Sequence, residues 1–309
     1  AAVSTPAAPG IDVPSAPAGP TRITEFDALR GLAIVCVMYL HAYFGPWATT
    51  PHRELLALHL LLLFANSAVP LFLFMSGVLS ARDRSAGFPA LIEARLTRLA
   101  IPLLFWLVAA LIFEVWRRGG TLTPDLFRSF LLFDIAGQFY YVVVLLILTA
   151  ALYPARHIAQ RHLKWIVLAA FVANLAMIGW YEGHRPTSGL AWTIAYRNPL
   201  VWVFSYTVGL YVGRTWGHVR FPRGAVAAAA AGMLAAAAVY VVTGERRGYP
   251  ESYFGVTVFL FAVCSFVVYP AIVRAVESMA PGRLALRSEE HTSELQSHLN
   301  LVCRLLLEK

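Results

Sequence analysis

Apolar segments of about 20 residues, each long enough to cross a membrane as a helix, recur along the whole chain. At a rise of ~1.5 Å per residue, such a helix spans a hydrocarbon core about 30 Å thick. Hydrophobic residues make up 59% of the 309 residues and charged residues only 14%, whereas roughly one quarter of the residues in a soluble domain are charged. The sequence therefore predicts an all-α fold, a polytopic bundle of transmembrane helices in a lipid bilayer.

Eight apolar segments meet this description, and together they leave little of the chain for a soluble domain. Pro70 lies inside the second and longest segment, where it is expected to kink or break the helix because proline offers no N–H to the preceding turn. The predicted segments are residues 29–46, 55–80, 96–116, 139–154, 164–181, 199–216, 225–243 and 254–274.

Basic residues concentrate in alternate loops of the chain, and short loops rich in Arg and Lys stay on the cytoplasmic side of a membrane. The other loops carry fewer basic residues and also contain acidic ones. We therefore expect a cytoplasmic N-terminus, and we interpret the net charge of +8 as a consequence of topology rather than of nucleic-acid binding. The basic residues assigned to the cytoplasm are Arg22, Arg30, Arg82, Arg84, Arg95, Arg98, Arg156, Arg161, Lys164, Arg214, Arg220, Arg223, Arg274 and Arg283.

Both ends of the chain differ in composition from its apolar centre. Residues 1–21 form an Ala/Pro-rich tail without the apolar region of a signal peptide, so this tail is predicted to be disordered. Residues 287–309 can be back-translated, codon by codon, into a common short-read sequencing adapter, and we expect them not to be native. On this interpretation residues 22–286 are a multi-pass membrane domain that is truncated at its C-terminus.

The first apolar segment contains two ionisable residues, Arg30 near its start and His41 eleven residues later. In a helix this spacing places His41 about 16 Å from Arg30, and therefore near the middle of the membrane. Ionisable groups at that depth need a partner or a function. The structural interpretation is a hydrogen-bonded histidine and an interfacial arginine; the functional one is an imidazole that accepts and returns a proton near neutral pH.

The second apolar segment ends in AVPLFLFMSGVLSAR, where Ser76 and Gly77 are adjacent. A small residue such as Gly77 permits the backbones of two helices to approach closely, which is its expected role, with a contribution to acceptor binding as the alternative. Ser76 is expected to hydrogen-bond a ligand or to orient His41. The Gly-x-Ser-x-Gly pattern of a hydrolase nucleophile does not surround it.

Arg95 and Arg98 lie three residues apart in RLTRLAIP, where a helix enters the membrane from the cytoplasm. This spacing places both side chains on one face of an α-helix. They are either basic flanking residues that contact lipid phosphates, or a pair of guanidinium groups that binds a phosphorylated donor through bidentate contacts.

Polar and aromatic side chains mark the outer start of the fourth segment, GQFYYVVVLL, which contains Gln138, Tyr140 and Tyr141. Tyrosines at this position usually form an aromatic belt at the membrane interface, and a role in acceptor binding is the alternative. The close His-x-x-x-His and Cys-x-x-Cys spacings of zinc ligands do not occur in the sequence, so no metal is expected.

Three of these motifs together resemble the acyltransferase-3 family, integral membrane O-acyltransferases that modify sugars of bacterial surface polysaccharides and related glycans. FDALRGLAIVCVMYLH resembles the family's Arg-x10-His element, VPLFLFMSGVLSAR its Phe/Ser/Gly element, and RLTRLAIP its Arg-x-x-Arg element followed by Pro102. The resemblance is strongest over residues 22–154, and Val78 stands where the family usually has an aromatic residue. Because family members typically have ten transmembrane helices, eight segments imply a chain that ends before the last two.

The resemblance also implies a reaction and a location, the bacterial inner membrane. Arg95 and Arg98 would hold the phosphates of cytoplasmic acyl-CoA, a substrate rather than a bound cofactor and in first place acetyl-CoA. A sugar hydroxyl of a glycan would enter from the outer side. His41 would act as general base on that hydroxyl, or carry the acyl group transiently, while Arg30 and Ser76 position the donor and the histidine.

Two other classes of protein stay open on the sequence alone. A multi-pass transporter or flippase could also place Arg and His inside a bundle, as a proton relay or a substrate site. Such proteins often have internal repeats, and none is found between the first four and last four segments. A sensor or assembly subunit without catalysis is the third class, and consumption of acyl-CoA separates an acyltransferase from both.

Overall fold

Helices make up nearly all of the chain that the computed structural model describes, and no strand occurs in the described ranges. Five helical stretches in these ranges are long and apolar enough to cross a membrane, which confirms the predicted all-α transmembrane fold. They are Leu56–Arg82, Phe88–Arg117, Gln160–His184, Arg223–Gly244 and Val256–Met279. The described residues are 24–43, 56–82, 87–132, 135, 139–184, 197–215, 220–247 and 255–279.

A helix lies over each of the eight predicted segments, although the bounds differ. The α-helices in chain order are α1 (Thr24–Tyr43), α2 (Leu56–Ala65), α3 (Ala68–Arg82), α4 (Phe88–Arg95), α5 (Ile101–Arg117), α6 (Pro124–Leu131), α7 (Tyr140–Ala151), α8 (Gln160–His184), α9 (Val203–Thr215), α10 (Arg223–Arg247) and α11 (Val256–Met279). A π-helical turn, Leu96–Ala100, joins α4 to α5, and 3₁₀ turns occur at Pro154–Arg156 and Pro199–Val201. The predicted tail at residues 1–21 and the stretch 287–309 lie outside the described residues.

The second predicted segment is divided into α2 and α3 by a turn at Asn66 and Ser67. The turn lies one helical turn before Pro70, whose ring nitrogen cannot donate to the Asn66 carbonyl. Leu71 resumes the helical pattern by donating its N–H to the Ser67 carbonyl at 3.0 Å. The break expected from Pro70 is therefore present, and it falls four residues before the proline.

The helix α3 is at the centre of the bundle, with nearly every side chain buried. It packs closely against α9, and it also contacts α1, α7 and α11. Phe74 of α3 stacks on Phe266 of α11 with ring centroids 4.7 Å apart. Buried residues of α1, among them Phe26, Leu29 and Ala33, belong to the same apolar cluster. Residues on α3 are thus positioned by several neighbouring helices at once.

Contacts between helix ends agree with the predicted alternation of loops. Glu25 at the start of α1 lies 3.7 Å from Arg274 near the end of α11. The carbonyl of Ser80 near the end of α3 accepts a hydrogen bond from Arg156 in the loop after α7. Each contact joins two segments that the sequence assigns to the same side of the membrane. Which side is cytoplasmic stays a prediction.

Candidate functional site

Arg30 and His41 lie on one continuous helix, α1, so their eleven-residue spacing corresponds to about 16 Å along the axis. The helix begins five residues before the predicted segment because Glu25 and Asp27 in its first turn interact favourably with the helix dipole. The described part of α1 ends at Tyr43, and His41 lies in the last turn of that part. That His41 lies near the middle of the membrane stays a prediction.

The Arg30 side chain is exposed and pairs with the carboxylate one turn before it. Its Nη1 donates to Asp27 Oδ1 at 3.1 Å, and 45% of the Arg30 side chain is accessible. Exposed pairs of this kind contribute little to stability, at most about 1 kcal/mol. The guanidinium is therefore available to a negatively charged ligand at a small energetic cost.

His41 lies at the surface of the described bundle, next to the connection between α1 and α2. Leu40 before it is buried, whereas His41 itself is exposed. The hydroxyl of Tyr39 donates to the Leu58 carbonyl at 3.1 Å, which ties the end of α1 to the start of α2. The backbone of α1 next to His41 is thus held in place, and the imidazole remains accessible.

Gly77 lies where α3 and α9 make their closest approach, and Ser76 beside it is half-buried. A Cβ at Gly77 would overlap the carbonyl oxygen of Tyr206 and lie 3.0 Å from the Cα of Gly209. A Cβ at Gly213 would lie 2.7 Å from the Val78 carbonyl oxygen. The geometry gives Gly77 a packing contact. Its partners on α9 were missed from the sequence, although their Gly-x-x-x-Gly spacing is a signal for close helix packing.

Arg95 and Arg98 flank the start of the π-helical turn. The N–H of Ile101 bonds to the Leu96 carbonyl five residues earlier, the pattern of a π-turn, and such turns are frequent at functional sites. Pro102 accounts for it, since in an α-helix its ring would clash with the carbonyl of Arg98. The extra residue widens the turn that follows Arg95, and that both arginine side chains lie on one face of the helix stays a prediction. Arg95 is half-buried and Arg98 is exposed.

The central helix α3 lies between the two groups of predicted site residues. The helix α1, with Arg30 and His41, packs against α2, α3 and α11. The segment with Arg95 and Arg98 packs instead against α7, which in turn contacts α3. Ser76 lies on α3 itself. A ligand that touches both the arginine pair and His41 would therefore extend along or across α3.

The tyrosines of the fourth segment lie inside the protein. Tyr140 is buried, and its ring centroid lies 5.7 Å from that of Trp202. The half-buried Tyr141 stacks on Phe72 at 6.0 Å. The aromatic-belt interpretation is therefore wrong for Tyr140, because its ring is buried against Trp202 rather than placed at the surface of the bundle. Gln138 lies outside the described residues.

Comparison with models of protein families places the chain in a family. A family model described as an acyltransferase domain matches residues 23–278, which is most of the chain and includes every predicted site residue. No curated protein and no solved structure matches the chain.

Proposed function

The chain belongs to the acyltransferase-3 family, and on that premise we propose that it moves an acetyl or other short acyl group from cytoplasmic acyl-CoA to a sugar hydroxyl of a cell-envelope glycan. That it is a membrane acyltransferase follows from the family and from its membrane-spanning helices. We propose four further points about this acyltransferase: its donor, its acceptor, its location in the bacterial inner membrane and its cytoplasmic N-terminus. The observation that supports them best is the placement of Arg30 and His41 on one unbroken helix within the family match.

In the proposed reaction His41 takes the proton of the sugar hydroxyl as that oxygen attacks the thioester carbon. The new C–O bond forms, the C–S bond breaks, and the coenzyme A thiolate leaves and recovers the proton from the imidazolium. The alternative is transfer of the acyl group to the imidazole first and to the sugar second. An exposed imidazole on α1 supports both routes, because an acceptor reaches it without crossing the core.

The proposed donor site is the π-helical turn with Arg95 and Arg98. Guanidinium groups bind phosphate oxygens in bidentate fashion, which a lysine ammonium cannot do. Exposure of Arg98 leaves its donors accessible to the nucleotide part of acyl-CoA. Ser76 on the intervening helix α3 would then contact the acyl-bearing arm or position it toward His41.

Replacing Arg98 with alanine or lysine is expected to raise the KM for acyl-CoA roughly tenfold, because a hydrogen bond to a charged group is worth about 1.5–3 kcal/mol. The kcat should change little, since Arg98 does not contact the reacting atoms in the proposed reaction. Steady-state kinetics with saturating acceptor would measure both constants. Arg117→Ala is the matched control, because Arg117 is an exposed arginine at the other end of the same helical stretch. An unchanged KM in Arg98→Ala and Arg95→Ala would assign the pair to lipid contacts instead.

The proposed function is tested by transfer of radioactive label from acetyl-CoA to glycan in membranes of cells that express the gene. We expect alkali-labile label in the glycan fraction, as for an ester, and none in membranes without the protein. Absence of transfer from acetyl-CoA and from longer acyl-CoAs would contradict the proposal. Movement of a substrate across the membrane without ester formation would favour a transporter.

A further inference from the structure

The loop between α7 and α8 contains a buried arginine that the proposed reaction does not use. Arg156 is 1% exposed, in the 3₁₀ turn after α7. Its Nε donates to the carbonyl of Ser80 at 2.9 Å. Its Nη1 and Nη2 are buried without a hydrogen-bond partner among the described residues. The Ser80 hydroxyl is also buried and also lacks a partner among these residues.

Only part of the Arg156 guanidinium is explained by the fold. The bond from Nε satisfies one of the last four carbonyls of α3, and a cation at a helix C-terminus is favourable. Among the residues that the structure describes, the remaining N–H groups have no acceptor, and removing an uncompensated charge from water is unfavourable by several kcal/mol. A ligand that satisfies them must accept several hydrogen bonds and carry negative charge. Phosphate has both properties.

The surroundings of Arg156 connect it with the arginine-bearing helix. The half-buried Tyr153 ring lies over the guanidinium, with its centroid 5.3 Å from the guanidinium carbon. Phe88, the first residue of α4, contacts the same ring edge-on at 4.9 Å. Arg95 follows seven residues later on α4, about 10 Å along the axis. The buried guanidinium is therefore linked, through Tyr153 and Phe88, to the helix that carries Arg95.

We propose that Arg156 and Ser80 form a phosphate subsite at this end of the bundle, beside the helix that carries Arg95. Nη1, Nη2 and the Ser80 hydroxyl donate hydrogen bonds to the phosphate oxygens. Because these atoms are shielded in the present structure, the phosphate enters as the half-buried Tyr153 ring turns away. The ligand is a phosphate ester, either of acyl-CoA, which rests on the proposed function, or of a lipid headgroup.

Ser80→Ala tests the subsite without disturbing the fold. The substitution keeps the backbone carbonyl that accepts from Arg156, and removing an unpaired buried hydroxyl does not destabilise a protein. Ser265→Ala is the matched control, because Ser265 is also fully buried but its hydroxyl donates to the Ala262 carbonyl in its own helix. Arg156→Lys is the second variant, which keeps the charge and loses the bidentate geometry.

The purified protein in a maltoside detergent, which contains no phosphate, is titrated with coenzyme A and separately with phosphatidylglycerol. Ligand binding is measured as the rise in melting temperature, with diacylglycerol as the lipid control. We expect Ser80→Ala to weaken the Kd of one ligand about tenfold, and Ser265→Ala to leave it unchanged.

Each outcome of the titrations decides between sources or against the subsite. Weaker binding of coenzyme A alone identifies the donor phosphate. Weaker binding of phosphatidylglycerol alone identifies a lipid phosphate. If the wild-type protein does not bind coenzyme A, that result counts against the proposed donor but not against the subsite. Wild-type affinity of Ser80→Ala for both ligands overturns the proposal, whether or not Arg156→Lys folds, and leaves Arg156 as a helix cap.

Discussion

Replacing His41 with alanine is expected to lower acyl transfer by about 10²- to 10⁴-fold, the usual contribution of a positioned general base. The protein should remain folded, because the side chain is exposed and its truncation leaves no cavity in the core. The measurement is kcat/KM with acetyl-CoA and a glycan acceptor, beside the melting temperature of the same preparation. Loss of activity at an unchanged melting temperature assigns the effect to chemistry.

The matched control for this experiment is His184→Ala. His184 is also an exposed histidine in the last turn of a long helix, α8, where its Nδ1 lies 2.8 Å from the Trp180 carbonyl oxygen. We expect this variant to retain wild-type turnover. Full turnover by His41→Ala would refute the assignment of His41 as base or acyl carrier.

A further measurement separates the two roles of His41. Incubation of the wild-type protein with labelled acetyl-CoA in the absence of acceptor leaves label on the chain only if the imidazole carries the acyl group. A general base forms no such intermediate, so its label appears only in the glycan. If label accumulates on the protein, its absence from His41→Ala would identify the carrier.

The helical segments could be predicted from sequence because long apolar stretches admit few other solutions in a membrane. The beginning of α1 could not be predicted by the same rule. Its first turn contains Glu25 and Asp27, which lower local hydropathy but stabilise a helix N-terminus. The bounds of a membrane helix are therefore less predictable from hydropathy than its presence.

Local backbone effects of two prolines account for other differences between the predicted and the observed helices. Pro102 was expected to follow the arginine motif, but its consequence, a π-turn that begins directly after Arg95, depends on how the helix before it relieves a steric clash. Pro70 likewise predicted a break in the helix, but not its position at Asn66 and Ser67. Sequence motifs thus predicted which residues form the candidate site, whereas the local backbone geometry around them followed only from the structure.

The partners of long-range contacts could not be predicted from the sequence. Arg156 looks like an ordinary basic loop residue in the sequence, and it is buried because it contacts the end of α3, 76 residues earlier in the chain. Gly77 was expected to lie at a helix contact, but the partner helix was not identified. Nothing local to α3 shows that Tyr206 and Gly209 face it.

Replacing Gly77 with alanine is expected to destabilise the protein by about 1–3 kcal/mol or more, the usual effect of overpacking. The new Cβ would meet the Tyr206 carbonyl oxygen and the Cα of Gly209, which are backbone atoms and cannot rotate away as a side chain can. The helices α3 and α9 would have to separate, and close packing is a main source of helix association in a membrane. Thermal unfolding in detergent and the yield of folded protein would measure the effect.

Gly179→Ala provides the control, since among the described residues no atom beyond its own stretch of α8 lies within 4 Å of a Cβ built at Gly179. There the higher helix propensity of alanine should be neutral or stabilising, by up to about 1 kcal/mol. Gly209→Ala should reproduce the defect of Gly77→Ala, because its Cβ would overlap the Phe74 carbonyl oxygen across the same contact. The double variant should lose less stability than the sum of the two, since either change already separates the helices. If Gly77→Ala has wild-type stability, α3 and α9 are further apart in the membrane than in this structure. Gly77 would then be assigned to acceptor binding instead of helix packing.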